Sequence, residues 1–219
     1  SFVKSMADQQ SDIVIVSNRL PVHRVKQNGE SRWEMSPGGL VSALTPILHE
    51  QASTWIGWAG TAGERPEPFS HDGIQNVPVE VSQEELSAYY DGFSNATLWP
   101  LYHDAIRPPE YHRHWWGPYV EVNRRFAHKA AEIAAKNAVV WVHDYHLQLA
   151  PAMIRDLRPD VKIGFFLHIP LPPQELFAQL PWRKAILEGM LGADVVGVQT
   201  RLGAQNLMDL CERVVGVPA

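Results

Sequence analysis

The sequence predicts an α/β fold, a parallel β-sheet flanked by helices, and three observations predict it. Short runs rich in β-branched residues recur along the chain, segments with helical spacing lie between them, and the two alternate without a break through the second half. Alternation of that kind builds right-handed βαβ units on one sheet. The 219 residues suit one domain or slightly more, since domains usually hold about 100–200 residues. No stretch reads as a linker, an internal repeat or a low-complexity segment.

Residues 12–17, DIVIVS, read as a buried first strand. The polar run 22–32, centred on Asn28-Gly29, reads as an exposed excursion or hairpin tip. Pro37-Gly38-Gly39 opens a helix whose Leu40, Ala43, Leu44, Ile47 and Leu48 make one apolar stripe. Residues 54–58 and 74–79 are the next strands. Ser82 with Glu85 matches a capping box, so a helix carrying Tyr89 and Tyr90 starts there. Pro118 is expected to start another helix, with Val122, Phe126, Ala130 and Ile133 facing inward. Strands then follow at 138–142, 161–167 and 194–198, separated by a helix through Leu149 and Met153 and by two short helices, 174–180 and 183–191. A last helix spans 201–211.

The balance of 19 basic against 24 acidic residues gives a formal charge of −5, with no run of five like charges. That excludes a nucleic-acid partner, which needs a basic face to displace counterions. It leaves room for a small anion held by one Arg or a helix N-terminus. Cys211 is the single cysteine, so no intrachain disulfide forms and a reducing compartment is expected. The first residues lack an apolar signal core, and the longest apolar runs are only strand-length. These features point to a cytoplasmic protein without membrane association. Residues 1–11 are expected to be a disordered or cloning-derived N-terminus, and 12–219 the folded domain. Oligomeric state is left open, homo-oligomers included.

In open α/β sheets, ligands bind beyond the carboxyl ends of the strands. Four polar clusters fall at such ends: Ser17-Asn18-Arg19, Trp58-Ala59-Gly60, His143-Asp144-Tyr145-His146 and His168-Ile169-Pro170. Arg19 suits an anion anchor, because a guanidinium makes paired hydrogen bonds to phosphate oxygens; the competing reading is a surface ion pair. Gly38-Gly39 before a helix offers bare N–H groups to a diphosphate, or is an ordinary turn. Asp144 could accept from sugar hydroxyls or merely cap the next helix, and His168 could orient a hydroxyl. Tyr90, Trp58 and Trp99 offer flat faces to a sugar ring, although most of the eight tryptophans belong in a core. His143 and His146 sit where a strand ends and lack a metal-binding spacing, so no metal is expected. Neither a nucleophile elbow nor a dinucleotide or Walker glycine loop is present.

Taken in order, Ser17-Asn18-Arg19-Leu20-Pro21, Ser36-Pro37-Gly38-Gly39-Leu40, Trp55-Ile56-Gly57-Trp58, Tyr89-Tyr90, Phe93-Ser94-Asn95 and Leu98-Trp99-Pro100 resemble the trehalose-6-phosphate synthases, glycosyltransferase family 20. So do the runs from Val142 to Leu147 and from Gly164 to Pro170. The resemblance implies a GT-B enzyme, two Rossmann-like domains facing a cleft, of which this chain would be the N-terminal, acceptor-side domain without the C-terminal donor-binding one. It implies transfer of glucose from UDP-, GDP- or ADP-glucose to the anomeric hydroxyl of glucose 6-phosphate, with retention and without an enzyme nucleophile or cofactor.

By the same resemblance Arg19, Tyr90 and Asp144 would bind glucose 6-phosphate, with Trp58 in the same set. Gly38 and Gly39 would lie against the donor diphosphate, and Trp99 and Ile169 would shape the pocket. His168 would sit beside the transferred sugar, with Asp144 and His168 in the catalytic roles. The chain alone is expected to bind its acceptor without turning over. Two other readings stand beside this one: a non-catalytic module that senses sugar phosphate, and a related nucleotide-sugar transferase with another acceptor.

Overall fold

The computed structural model describes residues 10–218. The reading of residues 1–9 as a tail therefore lies outside the described residues. Ser11 already belongs to the first strand, one residue earlier than expected.

A seven-stranded sheet in the order β5-β6-β4-β1-β7-β8-β9 forms the centre of the molecule. Its strands are β1 (Ser11–Arg19), β4 (Ser53–Trp58), β5 (Phe69–His71), β6 (Ile74–Pro78), β7 (Ala134–His143), β8 (Lys162–Leu167) and β9 (Val195–Val198). Every neighbouring pair is parallel except β5 with β6. Valines and isoleucines dominate β1 and β7 because both faces of a central parallel strand are covered. Val14, Ile15, Val16, Val140 and Val142 are accordingly buried.

The hairpin β2 (Val22–Gln27) and β3 (Glu30–Met35) pairs antiparallel as a separate ribbon. Asn28 and Gly29 turn it with φ of 52° and 84°, the positive angles a two-residue turn requires.

Helices cover the sheet: α1 (Gly39–Glu50), α4 (Arg113–Ile133), α5 (Ala150–Leu157), α6 (Gln174–Phe177), α7 (Arg183–Met190) and α8 (Arg201–Leu210). The capping box opens α2 (Gln83–Glu85), where Ser82 and Glu85 exchange hydrogen bonds as expected. The chain then continues without a break through a π-helical stretch, Leu86–Leu98, into α3 (Trp99–His103). Two bonds with five-residue spacing mark the wide turns: Ser94 Oγ donates to the Tyr89 carbonyl, and the Trp99 N–H donates to the Ser94 carbonyl.

Pro118 does not start its helix. α4 begins at Arg113, and the proline sits in the second turn, where its missing N–H removes one backbone bond that the buried face of the helix outweighs. Tyr119, Val122, Phe126, Ala127 and Ala130 of that face are fully buried. β7 likewise starts four residues before the expected 138, because Ala134 already pairs with Ser11 ahead of a register shift.

Strand order explains the placement of the site. The chain fills one side of β1 with β4 and β6 and the other with β7, β8 and β9. Strand order therefore reverses beside β1, and the carboxyl ends of β1, β4, β7 and β8 frame a crevice there. At the end of β1 the register with β4 shifts between Val16 and Arg19. Gly57 makes this possible: a Cβ there would lie 2.5 Å from the Arg19 carbonyl carbon and from the Leu20 nitrogen. Replacing Gly57 with Ala should destabilise the fold by about 1–3 kcal/mol, the usual cost of overpacking, read from the midpoint of urea unfolding. An unchanged midpoint would contradict the close approach of β1 and β4.

Candidate functional site

An open cleft of ≈ 630 Å³ lies at this crevice, within the range of small-molecule sites. Arg19, Tyr90, Trp99, Asp144 and Ile169 all line it, together with Ser36, Pro37, Leu40 and Val41 from the start of α1. Five of the residues singled out in the sequence thus share one cavity although they span most of the chain.

Arg19 reaches the cleft from the end of β1. Its guanidinium carbon stands 5.1 Å from the centre of the Trp58 ring. Gly60, at φ +101°, lies so close that a Cβ would come within 2.5 Å of Arg19 Nη2. Trp58 is only 5% exposed and is not part of the wall; it backs the guanidinium, and its indole N–H donates to the Thr61 carbonyl. Below, the Arg19 carbonyl accepts from Ser17 Oγ at 2.6 Å and from the Trp55 indole at 3.2 Å. Among the described residues no carboxylate pairs with Arg19, whereas Arg24, Arg125, Arg155 and Arg158 each have one.

Asp144 ends β7 with φ 77° and ψ 173°, a conformation costly for a residue with a Cβ and often found at functional sites. The strain is held by its own side chain. Oδ1 accepts from the N–H of Tyr145 at 3.0 Å and of His168 at 3.2 Å, while the Asp144 N–H donates to the Phe166 carbonyl at 2.8 Å. Burial pushes the Asp144 carboxyl above its ordinary range, opposed by nearby His168 and by these backbone donors.

His168 stands beside the wall rather than in it, its ring 3.0 Å from His143 across a nitrogen–nitrogen contact. Tyr90 stacks on His146 at 5.7 Å and 14°. Trp99 is 42% exposed and stacks on His103 at 3.9 Å. Gly38 and Gly39 form the entry to α1 next to the cleft. Neither has a neighbour within 4 Å of an added Cβ, and neither needs a positive φ, so the protein itself does not require glycine there. Tyr145 and His146 also line the cleft, as do Asn18 and His143. All four lay in the polar clusters at strand ends, and the clusters were the signal that marks them.

The sequence profile of Glycosyltransferase family 20 matches residues 11–219. The chain belongs to glycosyltransferase family 20. A trehalose-6-phosphate synthase of Mycolicibacterium smegmatis is 59% identical over 207 residues, which is 94% of this chain and 41% of that protein. The UDP-forming α,α-trehalose-phosphate synthase of Burkholderia xenovorans superposes with TM-score 0.80 at 32% identity, over 93% of this chain and 42% of that one. Its counterpart in complex with glucose-6-phosphate gives TM-score 0.78 at 29% identity, over 93% and 44%. The chain therefore spans about two-fifths of the length of these family members. Its architecture is the Rossmann-like N-terminal lobe of the family's GT-B fold, as expected.

Among the described residues no group of three or more His, Cys, Asp or Glu side chains could hold a metal ion. No helix among them is long and apolar enough to cross a membrane. Two histidines of the cleft, His143 and His146, are held down to about 3 by burial, His143 also by neighbouring His168. Both are neutral in the fold and gain a proton on unfolding below their ordinary range. Their contribution to stability is thus present above about pH 6.5 and is lost as pH falls toward about 3. His146→Gln should flatten the acid side of the stability curve by up to about 1.4 kcal/mol per pH unit, measured by urea unfolding at pH 7 and pH 5. Equal slopes for the two proteins would refute the buried neutral state of His146.

Proposed function

We propose that this chain is the acceptor-binding half of a retaining glucosyltransferase that makes trehalose 6-phosphate, and that its cleft holds glucose 6-phosphate. The observation that carries the reading is the pairing of two unlike groups in one cavity: an exposed Arg19 guanidinium with no carboxylate partner among the described residues and a strained, half-buried Asp144 carboxylate. A phosphate at one end and a ring of hydroxyls at the other match this arrangement. Arg19 takes the phosphate through paired charge-assisted hydrogen bonds. Asp144, with one oxygen held by backbone N–H groups, has the other for sugar hydroxyls. Tyr90, Trp99 and Ile169 enclose the hexose.

The glycines at the mouth of α1 support the donor side. With open space around both Cα atoms, the backbone at Gly38 and Gly39 can approach a nucleotide diphosphate closely, at the positive end of a 12-residue helix. A UDP-forming relative and one bound with UDP-2-fluoro glucose support UDP-glucose as the donor. In transfer, the anomeric hydroxyl oxygen of the acceptor bonds to the donor C1 as the bond from C1 to the diphosphate breaks on the same face. The hydroxyl proton leaves with the diphosphate. No enzyme nucleophile is needed, so the side chains act by positioning two sugars and by stabilising charge. His168 and Asp144, joined through a backbone hydrogen bond, set the place of the reacting hydroxyl.

Isothermal titration calorimetry with glucose 6-phosphate, glucose and inorganic phosphate tests the reading. Glucose 6-phosphate should bind better than either part alone. Arg19→Ala should cost about 1.5–3 kcal/mol, roughly ten- to 150-fold in Kd. Asp144→Asn should also weaken binding while leaving thermal stability equal or higher at pH 7, because the amide keeps the backbone acceptor and removes a half-buried charge. Binding that is indifferent to both substitutions would overturn the assignment.

A further inference from the structure

The nitrogen–nitrogen contact between His143 and His168 constrains both rings. His143 is 1% exposed, and its Nδ1 lies 3.0 Å from His168 Nε2. The two rings stack at 5.3 Å and 22°, between Trp141 on one side and Phe166 on the other. At that distance one nitrogen must donate, and only two neutral arrangements are available.

If His168 donates through Nε2, then a neutral His143 accepts at Nδ1 and carries its own proton on Nε2. That atom is buried and has no hydrogen-bond partner among the described residues. A buried N–H without an acceptor is rare in proteins and bears the full desolvation penalty of a donor. If instead His143 donates through Nδ1, its Nε2 is a buried acceptor without a donor among the described residues, a shortfall that proteins tolerate more often than an orphaned N–H. The second arrangement is the cheaper one. It leaves His168 accepting at Nε2, so a neutral His168 carries its proton on Nδ1, the ring nitrogen that no described protein group engages.

We propose that His143 is a positioning residue that fixes His168 as the Nδ1–H tautomer, a donor for a sugar hydroxyl beside the cleft. The backbone completes the fixation, since the His168 N–H is bound to Asp144 Oδ1 at 3.2 Å and the Asp144 N–H to the Phe166 carbonyl. Use of this donor by a sugar rests on the function proposed above; the tautomer does not. A free histidine side chain in water prefers the Nε2–H form. The Nδ1–H form is therefore the mark of a specific partner, which packing alone would not produce.

Long-range proton–nitrogen NMR spectra of the ligand-free 219-residue chain, labelled at histidine and recorded at pH 7, read the tautomer directly. His168 is assigned from the signals lost in His168→Gln. The expected result is a protonated Nδ1 and an unprotonated Nε2 on both His168 and His143. His143→Asn, whose side-chain N–H falls near the place of the imidazole Nδ1, should keep the His168 tautomer. His143→Leu should let His168 revert to Nε2–H. A protonated Nε2 on His168 in the unaltered chain overturns the proposal, whatever the variants do, and so does a tautomer that survives His143→Leu. No sugar enters these spectra, so failure of the sugar-phosphate reading and failure of the tautomer assignment are separate results.

Discussion

One carboxylate joins the ends of two neighbouring strands. Asp144 closes β7 in a backbone conformation that few residues with a Cβ adopt, and its Oδ1 binds the N–H groups of Tyr145 and His168. These bonds carry the β7–β8 pairing past the last ladder residues and lock the direction in which both loops leave the sheet. Tyr145, His146, His168 and Ile169 all follow from that corner. Its cost has two parts, a strained φ of roughly 1–3 kcal/mol and a carboxyl that burial pushes toward neutrality. We propose that this cost, beyond what joining the two strand ends requires, prepares a ligand site.

Across the cleft the anion side is built by removal of bulk. Gly57 lets the end of β1 lie close against β4, and Gly60 clears the space that the Arg19 guanidinium occupies. The Trp58 ring behind it contributes a cation–π contact of about 0.5–1 kcal/mol. The result is a guanidinium held in place without a carboxylate partner among the described residues, so its charge stays available. An ion pair at this position would have satisfied the side chain and occupied its charge.

Much of this was legible in the sequence. The β-branched runs gave β1, β4, β7 and β8, and the Ser82–Glu85 pair gave the start of α2 in the form observed. The polar clusters after those strands gave the cleft, because chains that alternate strand and helix put such clusters on one edge. Other features escaped for physical reasons. β5 is three residues long and antiparallel, too short for periodicity. A π-helical stretch over Leu86–Leu98 shares the apolar content of an α-helix. Pro118 fits a helix start as well as a second turn, and only the packing of Tyr119 and Phe126 decides between them. Trp58, expected as a platform for sugar, turns out to seat Arg19, a distinction set by which face of β4 the chain closes over.

The whole account depends on Arg19 and Asp144 addressing the two ends of one molecule. A crystal structure of the chain grown with glucose 6-phosphate tests this most directly. The account predicts the phosphate on the Arg19 guanidinium and at least one sugar hydroxyl within hydrogen-bond distance of the Asp144 carboxylate, in the cleft lined by Tyr90 and Trp99. A sugar phosphate bound at another surface, or held by Arg19 with its hexose pointing away from Asp144, would contradict it.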